Sequence, residues 1–468
     1  MTTIDHRGHD LVIMPDEELL RLPTADLLRA LFGTHLPADV SAAMGRDKRA
    51  AFLRTQPLHF QAVKQALRAQ GTPFSVAFEE RPALPFATDL QMEPRPYQDE
   101  ALGCWLAQGS AGVVILPTGA GKTLVAAMAI HETGLWSLVV VPTLDLLQQW
   151  RAALASVLAV SVDDIGTYGG GEKEMKPITV ITYDSAAIHA RELKRFGLLV
   201  FDECHHLPAP TYRLIAERAF SPLRLGLSAT PERSDMTHLD LERLIGPEVY
   251  RRSPAELTAG RYLAQYQEVR VDIALSSEDE ARYAEQRRIY RAFLQRRHIV
   301  IRSPEDFQQK VIFHSARDPE ARKAMLAWRE ARHIAMNAPA KYSEIERLLG
   351  LHAADLVILF SEYNQVVDEI SRRFCLPSIT YKTPTEERRA ILDRFRSGQY
   401  SKLVSGRVLN EGVDVPDCRV AILVSGNSTK REYIQRLGRI LRPKSGQALL
   451  YELVTASTME EDMAKRRK

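Results

Sequence analysis

Cysteine is scarce in this sequence and is never paired. The four cysteines, Cys104, Cys204, Cys375 and Cys418, lie far apart among 468 residues and form no C-x-x-C motif. A disulfide framework or a zinc ribbon needs regularly paired cysteines, so the sequence predicts neither. Four isolated thiols fit a reducing compartment inside the cell.

Long apolar runs and a large net charge are also missing. No stretch approaches the roughly 18 apolar residues of a membrane-spanning helix, and the N-terminal run MTTIDHRGHD lacks the apolar core of a signal peptide. We therefore expect no membrane association and a cytoplasmic or nucleoid-associated protein. The net charge of +3 gives little support for a polyanionic partner, although local basic stretches can bind phosphate backbones.

Length and patterning predict three regions. Residues 1–88 show helical periodicity without visible chemistry, and we interpret them as a small accessory domain. In residues 89–257, short β-rich runs such as GVVIL and SLVVV alternate with helical segments, and the same rhythm recurs in residues 258–468. This alternation is typical of parallel sheets covered by helices, so two similar α/β units are predicted. An arginine-rich helical insertion is expected at about residues 276–337.

A phosphate-binding loop follows the first β-rich run. GVVILPTGAGKTLVAAMAI gives a strand, a glycine turn and Lys122-Thr123 at the start of a helix, which is the context of a P-loop. Backbone N–H groups there can surround an anion, and the helix N-terminus adds positive charge. Lys122 would reach the β- and γ-phosphates, and the Thr123 hydroxyl would coordinate Mg²⁺. The pattern is not strict, because Leu116 stands where glycine is expected.

Another apolar run, LLVF, leads into the pentad Asp202-Glu203-Cys204-His205-His206. Consecutive residues cannot all face one tetrahedral ion, so a compact zinc site is not predicted. A buried strand with two carboxylates at its carboxyl end fits better, because ligands of open α/β sheets bind there. Together with the P-loop, Asp202 would hold Mg²⁺ and Glu203 would orient or deprotonate the water that attacks a nucleoside triphosphate.

Short motifs in a fixed order resemble the XPB branch of the superfamily-two helicases. They are RPYQ at 95, PTGAGKT at 117, VPTLDLLQQW at 141, ITYDSA at 181, FDECHH at 201, LGLSATPER at 225, LFSEY at 359, VSGRVLNEGVDVPD at 404 and QRLGRILRP at 435. The resemblance covers about residues 90–455. It implies an α/β fold with two RecA-like parallel-sheet domains, a helical thumb insertion and a small N-terminal domain.

The resemblance also implies roles for individual residues. It assigns Arg95 and Gln98 to adenine recognition, and Pro117, Thr118, Gly119, Ala120, Gly121, Lys122 and Thr123 to the phosphates. It assigns His206, Ser228 and Thr230 to the coupling of hydrolysis to domain motion. From the second domain, Gly412 and Asp414 would approach the nucleotide, and Gln435, Arg439 and Arg442 would complete the catalytic pocket.

Helical spacing independently supports the last three assignments. In REYIQRLGRILR, offsets of four and seven residues place Gln435, Arg439 and Arg442 along one face of a helix. An arginine from a second domain can stabilise charge on the transferring phosphoryl group, an effect worth about 10³ to 10⁵ in rate. The alternative is an exposed basic helix, because charges on helices are usually solvated.

Contacts with one nucleic-acid strand are expected where loops leave the strands of the sheets. Thr143, Thr182 and Ser405 each follow a β-rich run. In the relatives, such residues hold phosphates of one strand. Contacts of this kind position the nucleic acid without reading its sequence.

The predicted insertion contains RYAEQRRIYRAFLQRRHIVIR, which has seven arginines, among them Arg287, Arg288 and Arg291. Its interleaved aromatic residues, Tyr283, Tyr290 and Phe293, would suit a groove that holds the backbone and stacks bases. The alternative is an amphipathic helix whose aromatic side chains belong to the core.

Two segments depart from the family pattern. Arg233-Ser234-Asp235 stands where relatives commonly have Arg-Glu-Asp, a motif linked to strand separation. Residues 1 to about 60 are predicted to be more helical than the β-containing damage-recognition domain of relatives, so no damage-sensing role is expected for them.

The sequence therefore predicts an ATP- and Mg²⁺-dependent DNA translocase, a 3′–5′ helicase that acts on single strands or forks in repair or a related process. Polarity and DNA preference follow from the resemblance alone. An RNA helicase and a duplex translocase that does not unwind are alternatives within the same class. A nucleic-acid-binding scaffold for a nuclease partner, switched by ATP, is an alternative from another class.

Overall fold

The structure is a computed structural model. It describes residues 1–7, 10–47, 52–77, 82–190, 192–219, 221–232, 236–260, 266–301, 304–406, 418–425 and 448–467. The chain divides into two compact units, Met1–Glu256 and Leu257–Lys468, and each is described by itself below.

The strands within the described ranges are β1 (Thr2–Arg7), β2 (Asp10–Met14), β3 (Gly45–Asp47), β4 (Phe52–Thr55), β5 (Phe74–Val76), β6 (Ala111–Ile115), β7 (Ser137–Val141), β8 (Ile165–Gly169), β9 (Glu172–Lys173), β10 (Ile178–Thr182), β11 (Leu198–Asp202), β12 (Leu223–Ser228), β13 (Glu248–Arg251), β14 (Tyr266–Ile273), β15 (Val357–Ser361), β16 (Ser378–Ile379), β17 (Lys402–Ser405), β18 (Val420–Ser425) and β19 (Ala448–Thr455).

The α-helices are α1 (Thr24–Phe32), α2 (Ala38–Ala42), α3 (Phe60–Ala69), α4 (Pro96–Ala107), α5 (Lys122–Thr133), α6 (Leu144–Leu158), α7 (Tyr183–Ile188), α8 (Arg213–Arg218), α9 (Leu241–Leu244), α10 (Pro254–Ala259), α11 (Ser277–Arg296), α12 (Pro304–Phe307), α13 (Phe313–Ser315), α14 (Pro319–Met336), α15 (Pro339–Leu351), α16 (Asn364–Phe374), α17 (Thr385–Arg396) and α18 (Met459–Arg467). Single 3₁₀ turns span Leu19–Arg21, Pro57–His59, Val162–Asp164, Glu192–Arg195, Cys204–His206 and Thr237–Asp240, and a π-helical turn spans Gln308–Ile312.

The N-terminal part of the first unit contains a five-stranded mixed sheet in the order β3-β4-β2-β1-β5. The prediction that residues 1 to about 60 are more helical than a β-containing domain was therefore wrong, because four of these strands lie within them. The predicted amphipathic helices exist as α1 and α3, but the strands between them are short. In β2, the run DLVIM is apolar at three consecutive buried positions, and such a run cannot be distinguished from a buried helix by periodicity. The β-content also removes the reason for denying these residues a damage-sensing role.

The N-terminal sheet has its own core and also contacts the larger sheet domain of the same unit. Leu58, in the 3₁₀ turn Pro57–His59, packs against the core of the larger domain. Further along, the chain lies against that domain in extended form: the N–H of Leu84 donates to the carbonyl of Gly134 over 2.7 Å.

The larger domain of the first unit is built on an eight-stranded sheet in the order β13-β6-β12-β11-β7-β10-β8-β9. Its central strands pair in parallel, and only the β8–β9 pair is antiparallel. Strands such as SLVVV and ITVIT are buried at every position, as expected for a parallel sheet with both faces covered by helices.

The second unit contains a six-stranded parallel sheet in the order β14-β19-β18-β15-β17-β16. A helical insertion between β14 and β15 begins with α11 and continues through α14 and α15. We call residues 277–336 the thumb. No helix in the described ranges is both long enough and apolar enough to cross a membrane.

Candidate functional site

The carboxyl ends of β6, β12 and β11 meet at one edge of the eight-stranded sheet, because these strands are adjacent and parallel. The predicted phosphate loop follows β6, and the acidic pair lies at the end of β11. The N–H of Leu116 donates to the carbonyl of Ser228 at the end of β12 over 3.0 Å, and its side chain is fully buried. Leu116 therefore extends the core beyond β6, where a strict P-loop would have glycine.

Two glycines give the loop its curvature. The φ angles of Gly119 and Gly121 are 83° and 78°, in the left-handed region where other residues are strained. A Cβ at Gly121 would also lie only 2.4 Å from Nε2 of Gln98. Helix α5 begins at Lys122, so its free N–H groups and positive dipole end face the loop. Thr118 Oγ1 is buried without a hydrogen-bond partner among the described residues, and the loop therefore fits a phosphate chain.

The RPYQ segment holds the loop from the other side. Gln98 Nε2 donates to the carbonyl of Ala120 over 2.9 Å, and Tyr97 Oη donates to the same oxygen over 2.8 Å. The N–H of Arg95 fixes the amide by donating to Gln98 Oε1 over 2.9 Å. Of the predicted adenine-side residues, Gln98 contacts the phosphate loop directly and Arg95 holds Gln98 in place. Tyr97 is a further contact with the loop, for which no role was predicted.

Lys122 joins the phosphate loop to the acidic pair. Its Nζ donates to Glu203 Oε1 over 2.7 Å, and both side chains are nearly buried. Burial alone would lower the pKa of Lys122, but the charges of Glu203 and Asp202 raise it above its ordinary value. Pro117 is buried, and Thr123, in the first turn of α5, is half-buried. The predicted phosphate and acid motifs therefore lie in one place.

Asp202 is fixed by contacts on both carboxylate oxygens. Trp150 Nε1 donates to Oδ2 over 2.9 Å, and the N–H of Glu203 donates to Oδ1 over 3.0 Å. Tyr183 Oη donates to the carbonyl of Asp202 over 3.0 Å. Burial raises the pKa of Asp202 to about 6, although the charge of Lys122 lowers it. No role was predicted for Trp150 or Tyr183, because an aromatic residue beside apolar residues is typical of a core position.

Glu203 lies at φ 46°, which is uncommon for a residue with a side chain and occurs often at functional sites. Its Oε2 lies 3.4 Å from Nδ1 of His205 and accepts from Ser228 Oγ over 3.4 Å. Burial would raise the pKa of Glu203, but the charge of Lys122 and the hydrogen bond from His205 lower it below its ordinary value. Glu203 is therefore ionised and held at both oxygens.

His205, which was not among the predicted coupling residues, lies between Glu203 and Ser228. His205 is fully buried, and its Nδ1 is 3.2 Å from Ser228 Oγ. The ring of His206 lies 4.4 Å from that of His205. The N–H of Thr230 donates to Ser228 Oγ over 3.2 Å, so Ser228 connects the acidic pair to the segment after β12. The 3₁₀ turn Cys204–His206 determines which of the two histidines faces Glu203 and Ser228. The amino-acid sequence of the pentad does not indicate which one does.

The residues predicted to hold a nucleic-acid strand also lie at strand ends. Thr143 and Thr182 follow β7 and β10, and their hydroxyls accept from the N–H groups of Leu146 and Ser185. They therefore cap α6 and α7. In the second unit, Ser405 is the buried last residue of β17, and its hydroxyl donates to the carbonyl of Gly406 over 3.0 Å.

The aromatic residues of the thumb belong to its core. Tyr283, Tyr290 and Phe293 of α11 are 9%, 6% and 5% exposed and pack against α14 and its neighbours. The expectation that they stack bases was therefore wrong, because their spacing forms the packing stripe of an amphipathic helix.

The arginines of α11 lie away from this core. Arg288 and Arg291 are exposed, and Arg287 is half-buried. Arg288 pairs with Glu285 over 2.8 Å. Residues 276–337 contain 13 Lys and Arg and nine Asp and Glu, a net charge of +4 against +3 for the whole chain. The positive excess of the protein is concentrated in this segment.

Several predicted residues lie outside the described ranges. They are Gly412, Asp414, Gln435, Arg439 and Arg442, together with Arg233-Ser234-Asp235. Among the residues that are described, no group of three or more His, Cys, Asp or Glu side chains could hold a metal ion by itself.

Two segments of the chain match known protein families. Residues 91–233 match the family described as "Type III restriction enzyme, res subunit", and residues 340–444 match "Helicase conserved C-terminal domain". The first segment contains the phosphate loop and the acidic pair, and the second contains β15 to β18.

A relative from Sulfurisphaera tokodaii, "DNA 3'-5' translocase XPB2", is 44% identical over 379 residues, which cover 81% of this chain and 85% of the relative. The chain belongs to the XPB family. The predicted resemblance is thereby confirmed. "DNA 3'-5' helicase XPB" from Mycobacterium tuberculosis is 31% identical over 80% of this chain, which covers 62% of that longer relative. "Putative DNA 3'-5' helicase Rad25" from Halobacterium salinarum is 33% identical, with 61% of it covered.

A solved structure supports the architecture. The helicase domain of Pyrococcus furiosus Hef superposes with a TM-score of 0.57, covering 80% of this chain and 97% of that one at 18% identity. At this identity the similarity concerns the fold. The prediction of two RecA-like parallel-sheet domains is confirmed.

Proposed function

We propose that the protein is an ATP-dependent DNA helicase or translocase that moves 3′ to 5′ along DNA. Its membership of the XPB family, whose relatives are named DNA 3'-5' translocase and DNA 3'-5' helicase, supports this. The observation that carries the proposal is the 2.7 Å contact of Lys122 with Glu203. This contact joins the phosphate loop to the acidic pair that an ATPase needs.

The residues present fit Mg²⁺ as a cofactor. Protein sites usually bind this ion through one or two carboxylates plus the phosphates of the substrate, so no all-protein cluster is needed. Asp202 and the Thr123 hydroxyl would hold it. When bound, Mg²⁺ supplies charge neutralisation to the β- and γ-phosphates.

Lys122 and Glu203 change partners in the proposed reaction. Lys122 would leave Glu203 for the γ-phosphate, and this would release Glu203 Oε1. The freed oxygen would orient the attacking water, while His205 and Ser228 keep hold of Oε2. Glu203 is already ionised, so it can accept a hydrogen bond or a proton from that water.

The second domain would complete the site. Gln435, Arg439 and Arg442 would approach the phosphates, and Gly412 and Asp414 would approach the nucleotide. His206, Ser228 and Thr230 were predicted to couple hydrolysis to motion. We add His205 to this set, because it contacts both Glu203 and Ser228.

A strand-displacement assay tests this function. Duplex DNA with a 3′ tail and duplex DNA with a 5′ tail are incubated with the full chain, ATP and Mg²⁺. We expect ATP-dependent displacement from the 3′-tailed duplex and little from the 5′-tailed one. Displacement from the 5′-tailed duplex alone would contradict the polarity.

A duplex translocase that does not unwind is the second candidate, because the relative from Sulfurisphaera tokodaii is named a translocase. It predicts DNA-stimulated ATP hydrolysis and displacement of a DNA-bound triplex strand, without separation of either tailed duplex. Stimulation by RNA alone would favour an RNA helicase. ATP binding without turnover would favour the scaffold for a nuclease partner.

A further inference from the structure

We propose that a cleft at the base of the thumb binds one phosphodiester group of the DNA strand. We call it the thumb-base cleft and define it by Trp328, Arg332 and Tyr363. It has a volume of about 300 Å³. It lies within the second unit, between α14 and the loop that follows β15. The proposal rests on the proposed function, because it names a contact with the same DNA.

Arg332 is held rigidly at the centre of this cleft. Its guanidinium lies 5.0 Å from the centre of the Trp328 ring and 5.4 Å from the centre of the Tyr363 ring. Its Nε donates to Tyr363 Oη over 2.7 Å. Two neighbouring rings and a hydrogen bond at Nε fix the plane of the guanidinium, so its terminal nitrogens are preorganised to donate to two oxygens of one anion.

The charge of Arg332 has no carboxylate partner in the described part of the chain, where no aspartate or glutamate oxygen lies within 4.0 Å of it. Arg332 is half-buried, and a desolvated cation is costly unless an anion offsets it. Glu330, one position beyond Arg329, is already bonded to Arg282 over 2.8 Å. Glu362 adjoins Tyr363 in sequence but does not line the cleft.

Other groups around the cleft also favour an anion. Arg329 and His333 lie at its rim and are exposed. Gln365 and Val366, in the first turn of α16, form another wall, so the positive end of this 11-residue helix adds to the field of Arg332. These features fit a phosphate oxygen at the guanidinium.

Contacts within the fold already engage both aromatic rings, because Arg332 lies against each of them. One face of Trp328 carries Arg332, and the Phe307 ring lies 4.5 Å from Trp328. The rings therefore serve to position the guanidinium, and the ligand is a phosphodiester rather than a nucleobase.

The position of the cleft in the sheet suits a DNA strand. Tyr363 follows β15, and Ser405 ends the neighbouring parallel strand β17, where Phe360 pairs with Ser405. The cleft thus lies at the same sheet edge as a predicted phosphate contact. A strand held there would meet the thumb through Arg332.

The test is the affinity of the full chain for a labelled single-stranded DNA of mixed sequence, measured by fluorescence anisotropy over a salt series. Arg332→Gln is expected to weaken binding about tenfold and to lower the slope of log K against log salt by about 0.7, the loss of one phosphate contact on a single strand. The matched control is Arg372→Gln, because Arg372 is exposed on α16 and pairs with Glu369. Its affinity should stay within about twofold of wild type.

A second measurement keeps the test valid if Arg332→Gln folds poorly. Tyr363→Phe keeps the ring but removes the hydroxyl that accepts from Arg332, and we expect about threefold weaker binding at an unchanged melting temperature. Single neutral methylphosphonates are then placed along the strand. A methylphosphonate at one position should weaken DNA binding by the wild-type protein. The same methylphosphonate should weaken DNA binding by Tyr363→Phe less.

Either of two results with DNA would overturn the inference while leaving the proposed function intact. One is an unchanged salt slope in Arg332→Gln. The other is equal sensitivity of wild type and Tyr363→Phe to methylphosphonates at every position. Direct binding of inorganic phosphate that disappears in Arg332→Gln, with DNA affinity unchanged, would assign the cleft to free phosphate and also overturn the inference. Failure of wild type to bind DNA at all would instead contradict the proposed function.

Discussion

The two units of the molecule each contain a nearly buried lysine–glutamate pair with the same nitrogen–oxygen distance of 2.7 Å. In the first unit, the side chains of Lys122 and Glu203 are 11% and 12% exposed. In the second unit, the side chains of Lys341 and Glu460 are 1% and 0% exposed. Chemically the pairs are alike, and their surroundings distinguish them.

Lys341 and Glu460 are satisfied within the fold. Lys341 Nζ also donates to the carbonyl of Val424 over 2.8 Å, and Glu460 Oε2 accepts from the N–H of Thr455 over 2.9 Å. This pair joins α15 and α18 to the end of β18. No ligand is needed to complete it, so its role is structural.

Lys122 and Glu203 differ because their pair borders the glycine-bearing loop and the second carboxylate of Asp202. Burial raises the pKa of Asp202, whereas the charge of Lys122 lowers the pKa of Glu203. Opposite pKa shifts in neighbouring carboxylates are typical of functional sites. A buried ion pair therefore indicates chemistry when the groups around it leave room for a further binding partner.

The largest effect should come from Glu203→Gln. Because Glu203 orients the attacking water, we expect ATP turnover to fall by about 10² to 10⁴, while ATP binding and the melting temperature change little. Turnover and nucleotide affinity are measured in parallel, with the exposed Glu256→Gln as control. Wild-type turnover in Glu203→Gln would remove the distinction between the two pairs.

Lys341→Met should act on stability instead. It leaves Glu460 buried without a cation, so the free energy of unfolding should fall by about 3 to 5 kcal/mol, measured by urea denaturation. The double variant Lys341→Met/Glu460→Leu should recover most of this loss, because it removes both charges. A single variant as stable as wild type would show that the pair is not structural.

Trp150→Phe tests the support of Asp202. It removes the indole N–H that donates to Asp202 Oδ2, and the KM for Mg²⁺-ATP should rise about tenfold, as expected for a lost hydrogen bond to a charged group. The titration of ATP at fixed Mg²⁺ gives this value. An unchanged KM would mean that the Glu203 N–H alone holds the carboxylate.

The smallest effect is expected from Thr143→Val, which removes the N-cap of α6 and should lower the free energy of unfolding by about 1 kcal/mol. If Thr143 also holds a DNA phosphate, Thr143→Ser should retain both stability and DNA affinity. Loss of affinity in the serine variant would contradict the predicted hydroxyl contact.

The sequence predicted the two sheets and the chemistry at the end of β6 and β11, because apolar runs and a glycine-bearing loop are local signals. The phosphate loop and the acidic pair could be placed in one site in advance because both follow strands of one parallel sheet, whereas the ion pair between Lys122 and Glu203 was not predicted. A site can be predicted in this way when each of its residues belongs to a motif that is continuous in the sequence.

Other features depend on contacts that no local pattern encodes. Lys341 and Glu460 are 119 residues apart, and each looks like an ordinary charge on an amphipathic helix. Trp150 resembles a core residue until its indole N–H is seen to meet Asp202. The choice of His205 over His206 depends on a single 3₁₀ turn, and the short strands of the N-terminal sheet depend on pairing partners elsewhere in the chain.

The most direct measurement of the central claim is ATP hydrolysis by the full chain with and without single-stranded DNA, for wild type and Lys122→Ala. We predict Mg²⁺-dependent hydrolysis by wild type that DNA stimulates, and loss of that activity in Lys122→Ala with the fold retained. Equal turnover by the two proteins would contradict the assignment of Lys122 and its pair with Glu203 to the catalytic site.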